Sequence, residues 1–238
     1  MPQVSIVIPA YNRSEVLAKT LSALTAQNYP ASSLTVVVAD DGSSENVEAV
    51  VDAWDPPFSK LYVRQDHDGF GAGRARNLGA GAVPSEVIIF LDSDALVSPD
   101  FVSKHAAWHV DDPKSVVIGG RVHLSSTGLS AEQLETAAVD LGAQPFEDRA
   151  DFRSVLTRRT SRLQSTDEGY RAFVSSNVSL ATSLFESTGG FDARFRWWGS
   201  EDSEFGWRLW QTGATFVADE TARIYHQVDS DTAGGEEG

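Results

Sequence analysis

The sequence predicts an α/β fold, a mixed, mostly parallel central sheet flanked by helices, and three observations carry that prediction. Short apolar runs recur at Gln3–Pro9, Leu34–Ala39, Lys60–Arg64 and Val87–Leu91. Stretches of helical period separate them. Most runs stop abruptly at acidic or turn residues, as in Asp40-Asp41-Gly42-Ser43 and Asp92-Ser93-Asp94. The resulting βαβαβαβ alternation argues a parallel sheet with helices on both faces. Runs this short and unbroken are what a strand buried on both sides requires.

The elements follow in order. After the first strand, Asn12 and Glu15 have capping-box spacing, and Leu17, Leu21 and Leu24 line one helix face. Asn28-Tyr29-Pro30 ends that helix. The second strand leads to a helix with Val47, Val50, Val51 and Trp54 on its core face, broken by Pro56-Pro57. The third strand is followed by a Gly-rich stretch, Gly69 to Gly79, that opens a helix and carries Arg74 and Arg76. Glycine permits close backbone approach, and a helix N-terminus with arginines favours anions. It is neither a P-loop nor a dinucleotide fingerprint, because the Gly-Lys-Ser/Thr signature is absent and Pro9 to Asn12 contains no Gly. A plain connecting helix with surface arginines accounts for the same residues.

The fourth strand delivers Asp92 and Asp94 to the sheet's carboxyl edge, where open α/β sheets bind ligands. Two carboxylates at i and i+2 repel, and one takes up a proton unless a cation lies between them. A hard divalent metal resolves this and brings phosphate oxygens with it. The competing reading is that both acids only cap a helix running from Pro99 to His109. A strand over Val116–Val122 follows. Residues 125–169 are polar, with a possible helix at Ala131–Leu141 and five arginines between positions 149 and 162; they read as a lid or acceptor-side insertion, or as a plain surface excursion. Phe173–Leu180 alternates like a strand with one polar face, and Thr182–Thr188 reads as a short helix. Ser200 is the expected N-cap of a helix with Phe205 and Leu209 on one face and Gly213 as its C′ residue. Glu201 and Asp202 then fall in its first turn. The helix dipole lowers a carboxyl pKa there, while the neighbouring Trp197 and Trp198 raise it. Such an acid is a candidate general base, or simply a favourable first-turn charge. Thr215–Ala218 and Ala222–Tyr225 are two short strands, the second ending in His226, a possible metal ligand. Asp229 to Gly238 has the composition of a disordered acidic tail.

Composition narrows the function. The 238 residues fit one domain, or one domain with an insertion. There is no run of about 18 apolar residues, so no membrane span is expected. No secretion signal is recognisable at Val4–Ala10, which makes the cytoplasm the default expectation. Without cysteine, disulfides and thiolate metal sites are excluded. A net charge of −15 argues against nucleic acid and against unaided binding to anionic lipid. A nucleotide would have to be held by a few local cations and a metal, against the overall field.

Several motifs occur together in a fixed order: Val4-Ser5-Ile6-Val7-Ile8-Pro9-Ala10-Tyr11-Asn12, Val38-Ala39-Asp40-Asp41-Gly42-Ser43, Asp92-Ser93-Asp94, Trp198-Gly199-Ser200-Glu201-Asp202 and Tyr225-His226-Gln227. Over most of residues 3–227 the chain resembles the family 2 glycosyltransferases with the Rossmann-like GT-A fold. The segment from Glu201 to Leu209 is most similar to the chondroitin-polymerase and β-1,4-galactosyltransferase branches. The resemblance implies a single domain over 1–228, with a nucleotide-binding half at 1–98 and an acceptor-binding half at 99–228. It implies that Pro9, Tyr11, Asn12, Asp41, Arg74, Asp92 and Ser93 serve a nucleotide-diphosphate sugar donor, UDP-linked in most relatives, with Tyr11 stacked on the base and Asp41 on its edge. Asp94 and His226, with Asp92 on the metal side, would hold Mn2+ or Mg2+. Asp202 would deprotonate the hydroxyl of the acceptor, beside Asn177, Trp198, Gly199 and Glu201. Retaining relatives often carry Asn at the position of Asp202, so inversion is expected. The Gln-x-x-Arg-Trp motif of processive members is absent, which favours transfer of a single sugar. Two other classes remain: a nucleotidyltransferase, whose Gly-x-Gly-x-Arg loop is missing after the first strand, and a non-catalytic nucleotide-sugar-binding module, which would not need the acid at 202.

Overall fold

A computed structural model describes residues 1–125 and 169–228. The expected insertion or lid over 125–169, its Ala131–Leu141 helix and the expected disordered tail at 229–238 lie outside the described residues, save Ser125 and Gly169. The strands are β1 Val4–Ala10, β2 Leu34–Asp40, β3 Ser59–Arg64, β4 Val87–Leu91, β5 Ala95–Val97, β6 Ser115–Ser125, β7 Asn177–Ala181 and β8 Thr215–Val228. The helices are α1 Ser14–Thr25, α2 Val47–Ala53, α3 Ala72–Ala80, α4 Phe101–Trp108, α5 Thr182–Thr188 and α6 Glu201–Gln211, with a 3-10 turn at Gly169–Ala172.

The described strands form one sheet in the order β3-β2-β1-β4-β7-β6-β8-β5. β1 to β4 are parallel, with Val4 opposite both Leu34 and Val87. β7 runs antiparallel to β4 and to β6, so β6 and the parallel β8 beside it return to the first direction. The alternation of side chains along the strands builds two apolar layers. Val4, Ile6 and Ile8 of β1 and Val87, Ile89 and Leu91 of β4 face α1, α2 and α4, against Leu17, Leu21, Val51 and Phe101. Val7, Ile88 and Phe90 face the other way, onto Ala80, Phe185, Phe191, Phe205 and Leu209. The carboxyl ends of β1, β2 and β4 therefore open along one edge with a helical layer on each side.

Three local expectations are corrected, and a fourth, the N-cap at Ser200, holds in position only. Asn12 does not cap α1: it adopts a left-handed φ of 50°, and its side-chain oxygen accepts from Ser44 N–H, at 2.8 Å, and from Glu45 N–H. Bonding the next loop satisfies the amide better than a helix it does not directly precede. Ser200 stands at the N-cap position of α6 as expected, but with a positive φ of 70° and no side-chain cap bond. The strand expected over Phe173–Leu180 begins only at Asn177, and its polar positions are buried, because Ser179 and Asn177 both bond to His105 of α4. The two short strands expected near the C-terminus are one long strand, β8. Its register against β6 jumps from Gly119–Asp219 to Arg121–Ile224. The three-residue β5 was not foreseen; it pairs antiparallel with the end of β8, placing Ala95 opposite His226.

Candidate active site

At the carboxyl edge lies a cleft of about 470 Å3. Its walls include Pro9, Tyr11, Asp41, Asp92, Ser93, Asp94, Trp198, Glu201 and Asp202, nine of the expected site residues, drawn from the ends of β1, β2 and β4 and the loops that follow them and from the start of α6 and the turn before it.

The nucleotide side is built by strand ends. Asp41 N–H donates to Ala10 O at 2.9 Å, which ties the ends of β1 and β2 together. The Asp41 carboxylate accepts from Gln65 Nε2 at 2.6 Å. It lies where a side chain on residue 71 would be, since a Cβ at Gly71 would meet Asp41 Oδ1 at 2.0 Å. One glycine of the lead-in to α3 thus makes room for a carboxylate, not for a phosphate. The neighbouring Asp40 is fully buried on Ser43, Tyr62 and Arg64 and serves the loop. Tyr11 stacks face to face on His67, ring centroids 4.2 Å apart.

Beyond β4, Asp92 Oδ1 accepts from Arg76 Nη2 at 2.8 Å, and Asp94 Oδ2 accepts from Arg13 Nη1 at 2.7 Å. Asp94 is 7% exposed. Its Oδ1 is buried without a hydrogen bond, and His226 Nε2 lies 3.2 Å from it. Burial pushes the Asp94 carboxyl up, but nearby His226 and then Arg13 outweigh this and hold it below the ordinary carboxylate range. No three His, Asp or Glu side chains form a closed metal cage among the described residues. The donor set fits an open site instead: an orphaned carboxylate oxygen with an imidazole beside it, the remaining positions left to ligand oxygens.

On the far wall, Glu201 and Asp202 start α6. The opposition between dipole and burial is decided for burial, which pushes the Asp202 carboxyl above its ordinary value; Arg76 and Ser175 offset part of that rise. Glu201 is also pushed up, by burial and then by the charge of Asp202, and its Oε2 is buried without a partner. Trp198 lines the cleft while 70% exposed; Trp197 is 84% exposed and is not part of the wall.

Among the described residues, five carboxylates and two guanidiniums, those of Arg13 and Arg76, line this cleft. A free anion would meet a net repulsive surface, whereas an anion arriving with a divalent cation would not.

Five expected residues do not line the cleft; one of them, His226, stands 3.2 Å from Asp94 Oδ1, and the other four stand elsewhere. Arg74 donates to Asp68 O at 2.8 Å and does not line the cleft; Arg76, two residues on, does. The buried face of α3 is Gly73, Ala75, Arg76, Gly79 and Ala80, so the signal was a lone arginine at helical spacing among small residues. Asn177 is buried, its amide donating to Gly120 O and Ala222 O and its carbonyl taking His105 Nε2 at 2.9 Å, which makes it a tie between strands rather than an acceptor-side group. Gly199, with φ of 94°, shapes the turn before α6. Asn12 shapes the loop after β2. Arg13, His67, Phe70, Ser175 and Ser176 also line the walls, and sequence reasoning assigned none of them to the site.

This is the fold of the GT-A glycosyltransferases. A mannosyltransferase from Pyrobaculum calidifontis, solved in complex with GDP-Man and Mn2+, superposes with a TM-score of 0.70 at 18% identity, covering 97% of this chain and 58% of that one. S. aureus TarS in complex with UDP-GlcNAc gives 0.67 at 16% identity, covering 99% and 59%. The chain belongs to glycosyl transferase family 2, whose family model matches residues 5–172. A model for the N-terminal domain of galactosyltransferase matches residues 158–229. Chondroitin synthase of Escherichia coli is 33% identical over 94% of this chain and 34% of its own length. Validoxylamine A glucosyltransferase of Streptomyces hygroscopicus is 34% identical over 88% and 51%. The chain thus spans a third to a half of these two relatives. Among the described residues, no helix is long and apolar enough to cross a membrane.

Proposed function

We propose that the chain moves one sugar from a nucleoside-diphosphate sugar, UDP-linked, to an acceptor hydroxyl, with inversion at the anomeric carbon. The observation that carries this reading is the meeting, in one cleft, of Asp94 with the Glu201–Asp202 pair, His226 standing 3.2 Å behind Asp94 Oδ1. The stacked Tyr11 and His67 offer a platform for a nucleobase, and Asp41 an acceptor for its edge. Asp94 and His226, with Asp92 nearby, would hold Mn2+ or Mg2+, which when bound supplies positive charge to the diphosphate. Arg76, buried with Nε and Nη1 unpaired, adds a second cation on the same side.

Asp202 acts as the base. It takes the proton of the acceptor hydroxyl as that oxygen forms its bond to the anomeric carbon. The bond from that carbon to the diphosphate oxygen breaks on the opposite face, and the electron pair leaves with the nucleotide. Glu201 and Trp198 orient the acceptor, the one by a hydrogen bond and the other by an apolar ring face. The test is a thermal-shift screen of UDP- and GDP-sugars with and without Mn2+. Stabilisation by one nucleotide sugar only in the presence of metal is expected. Stabilisation independent of metal removes the cation from the reading, and none by any nucleotide sugar removes the donor.

A further inference from the structure

Asp202 does not hold itself. Both of its carboxylate oxygens are engaged by one residue of another segment: Ser175 Oγ–H donates to Oδ1 at 2.5 Å and Ser175 N–H donates to Oδ2 at 3.2 Å. Ser175 is 1% exposed and lies between the 3-10 turn and β7. Two donors on one carboxylate fix its orientation and favour its ionised form.

A backbone feature sets how near the two segments come. Gly206 lies one helical turn after Asp202, on the same face of α6. A Cβ there would meet Phe173 Cβ at 2.7 Å and Tyr170 O at 2.9 Å. The missing side chain lets α6 sit directly on the 170–173 backbone. Phe173 is anchored in turn by Phe205, ring centroids 5.5 Å apart and edge to face. Two residues further on, Ser175 reaches the first turn of α6.

We propose that Ser175 is the positioning residue of the Asp202 base, and that Gly206 keeps it in reach by close seating of α6. The inference rests on the reading of Asp202 as the base. The charged groups that face Asp202 are Arg76 from α3, Asp92 from the end of β4 and Glu201 beside it. Ser175 is the neutral partner whose loss leaves those charges in place.

The direct test is a titration of the Asp202 carboxyl by 13C NMR in the intact chain, its resonance assigned by Asp202→Asn. Ser175→Ala should raise the Asp202 pKa by about one unit, as loss of one hydrogen bond to a charged group implies. Gly206→Ala, which removes no hydrogen bond to Asp202 but presses on Phe173 and the Tyr170 carbonyl, should shift it in the same direction and by less. In parallel, UDP release from UDP-glucose, UDP-N-acetylglucosamine or UDP-glucuronate, whichever the thermal screen selects, should fall about 10- to 100-fold in Ser175→Ala. Its acidic limb should move to higher pH while KM for the donor is unchanged. A purely structural serine would lower the melting temperature and leave the carboxyl titration where it was, which overturns the proposal. Near-normal turnover in Asp202→Asn would instead overturn the base itself, so the two failures are distinct.

Discussion

Two sets of buried polar groups lie on this sheet, and they differ in what they leave undone. In the cleft, Asp94 Oδ1, Glu201 Oε2 and two nitrogens of Arg76 are buried without hydrogen bonds. Beneath α4 a second set forms a continuous chain. Asn177 spends both amide hydrogens on Gly120 O and Ala222 O, so its carbonyl must accept from His105 Nε2–H. Neutral His105 then accepts at Nδ1 from the Ser179 hydroxyl, whose oxygen accepts from His109 Nε2–H. Every tautomer in the chain is fixed, and only His109 Nδ1 at its end lacks a partner. A saturated network specifies packing; polar atoms kept idle beside open space await a ligand.

The sharpest way to break this contrast is at Asp202. Asp202→Asn should cost turnover about a thousandfold, with donor binding and melting temperature held; a fall in stability comparable to that of a core variant would place it in the packing set. Asp94→Ala comes next: Mn2+-dependent donor affinity should drop about 100-fold by calorimetry, and unchanged affinity would deny the metal role. In the saturated set the order reverses. Asn177→Ala strands two carbonyls and a histidine, and should lower stability by about 3 kcal/mol while the folded fraction keeps its turnover per molecule. The smallest effect is with pH. Burial lowers the pKa of His105 and of His109 to about 4. The unfolded chain, with histidines near 6.5, binds more protons between these values. Stability is therefore full above about pH 6.5 and declines as pH falls toward 4, by at most on the order of 3 kcal/mol for His105. Denaturant melts across that range check this, and a flat profile would mean the histidines take up protons in the fold as readily as in the unfolded chain.

The same contrast explains what was legible in the sequence. Pro9, Tyr11, Asp41, Asp92 and Asp94 sit at strand ends, where an apolar run followed by a turn fixes position in three dimensions. They were placed correctly on the carboxyl edge because a buried parallel strand leaves little freedom. Arg74 and Arg76 differ only in helical phase, and the phase of a Gly-rich helix is weakly marked when its inward face is small residues. Asn177 was placed on the acceptor side by the family resemblance, while the alternation around it signals only a strand with one polar face. That polar face packs on His105 of α4 and on His109 just past its end, 70 to 74 positions away in the chain, and no local pattern reports that. Ser175 and Phe173 belong to an irregular segment whose shape is set by contact with α6, so their role exists only in the folded chain.

The ladder between β5 and β8 has a consequence for how such chains tolerate changes in length. The imidazole of residue 226 reaches Asp94 because Ala95 and His226 are paired directly. One amino acid added between Ile224 and His226 would turn that ring to the opposite side of the pleat. The irregular stretch between Asp219 and Ile224, already out of step with its neighbour, can take up an insertion without transmitting it. Variation in loop size is thus absorbed just upstream of the one spacing that must not drift.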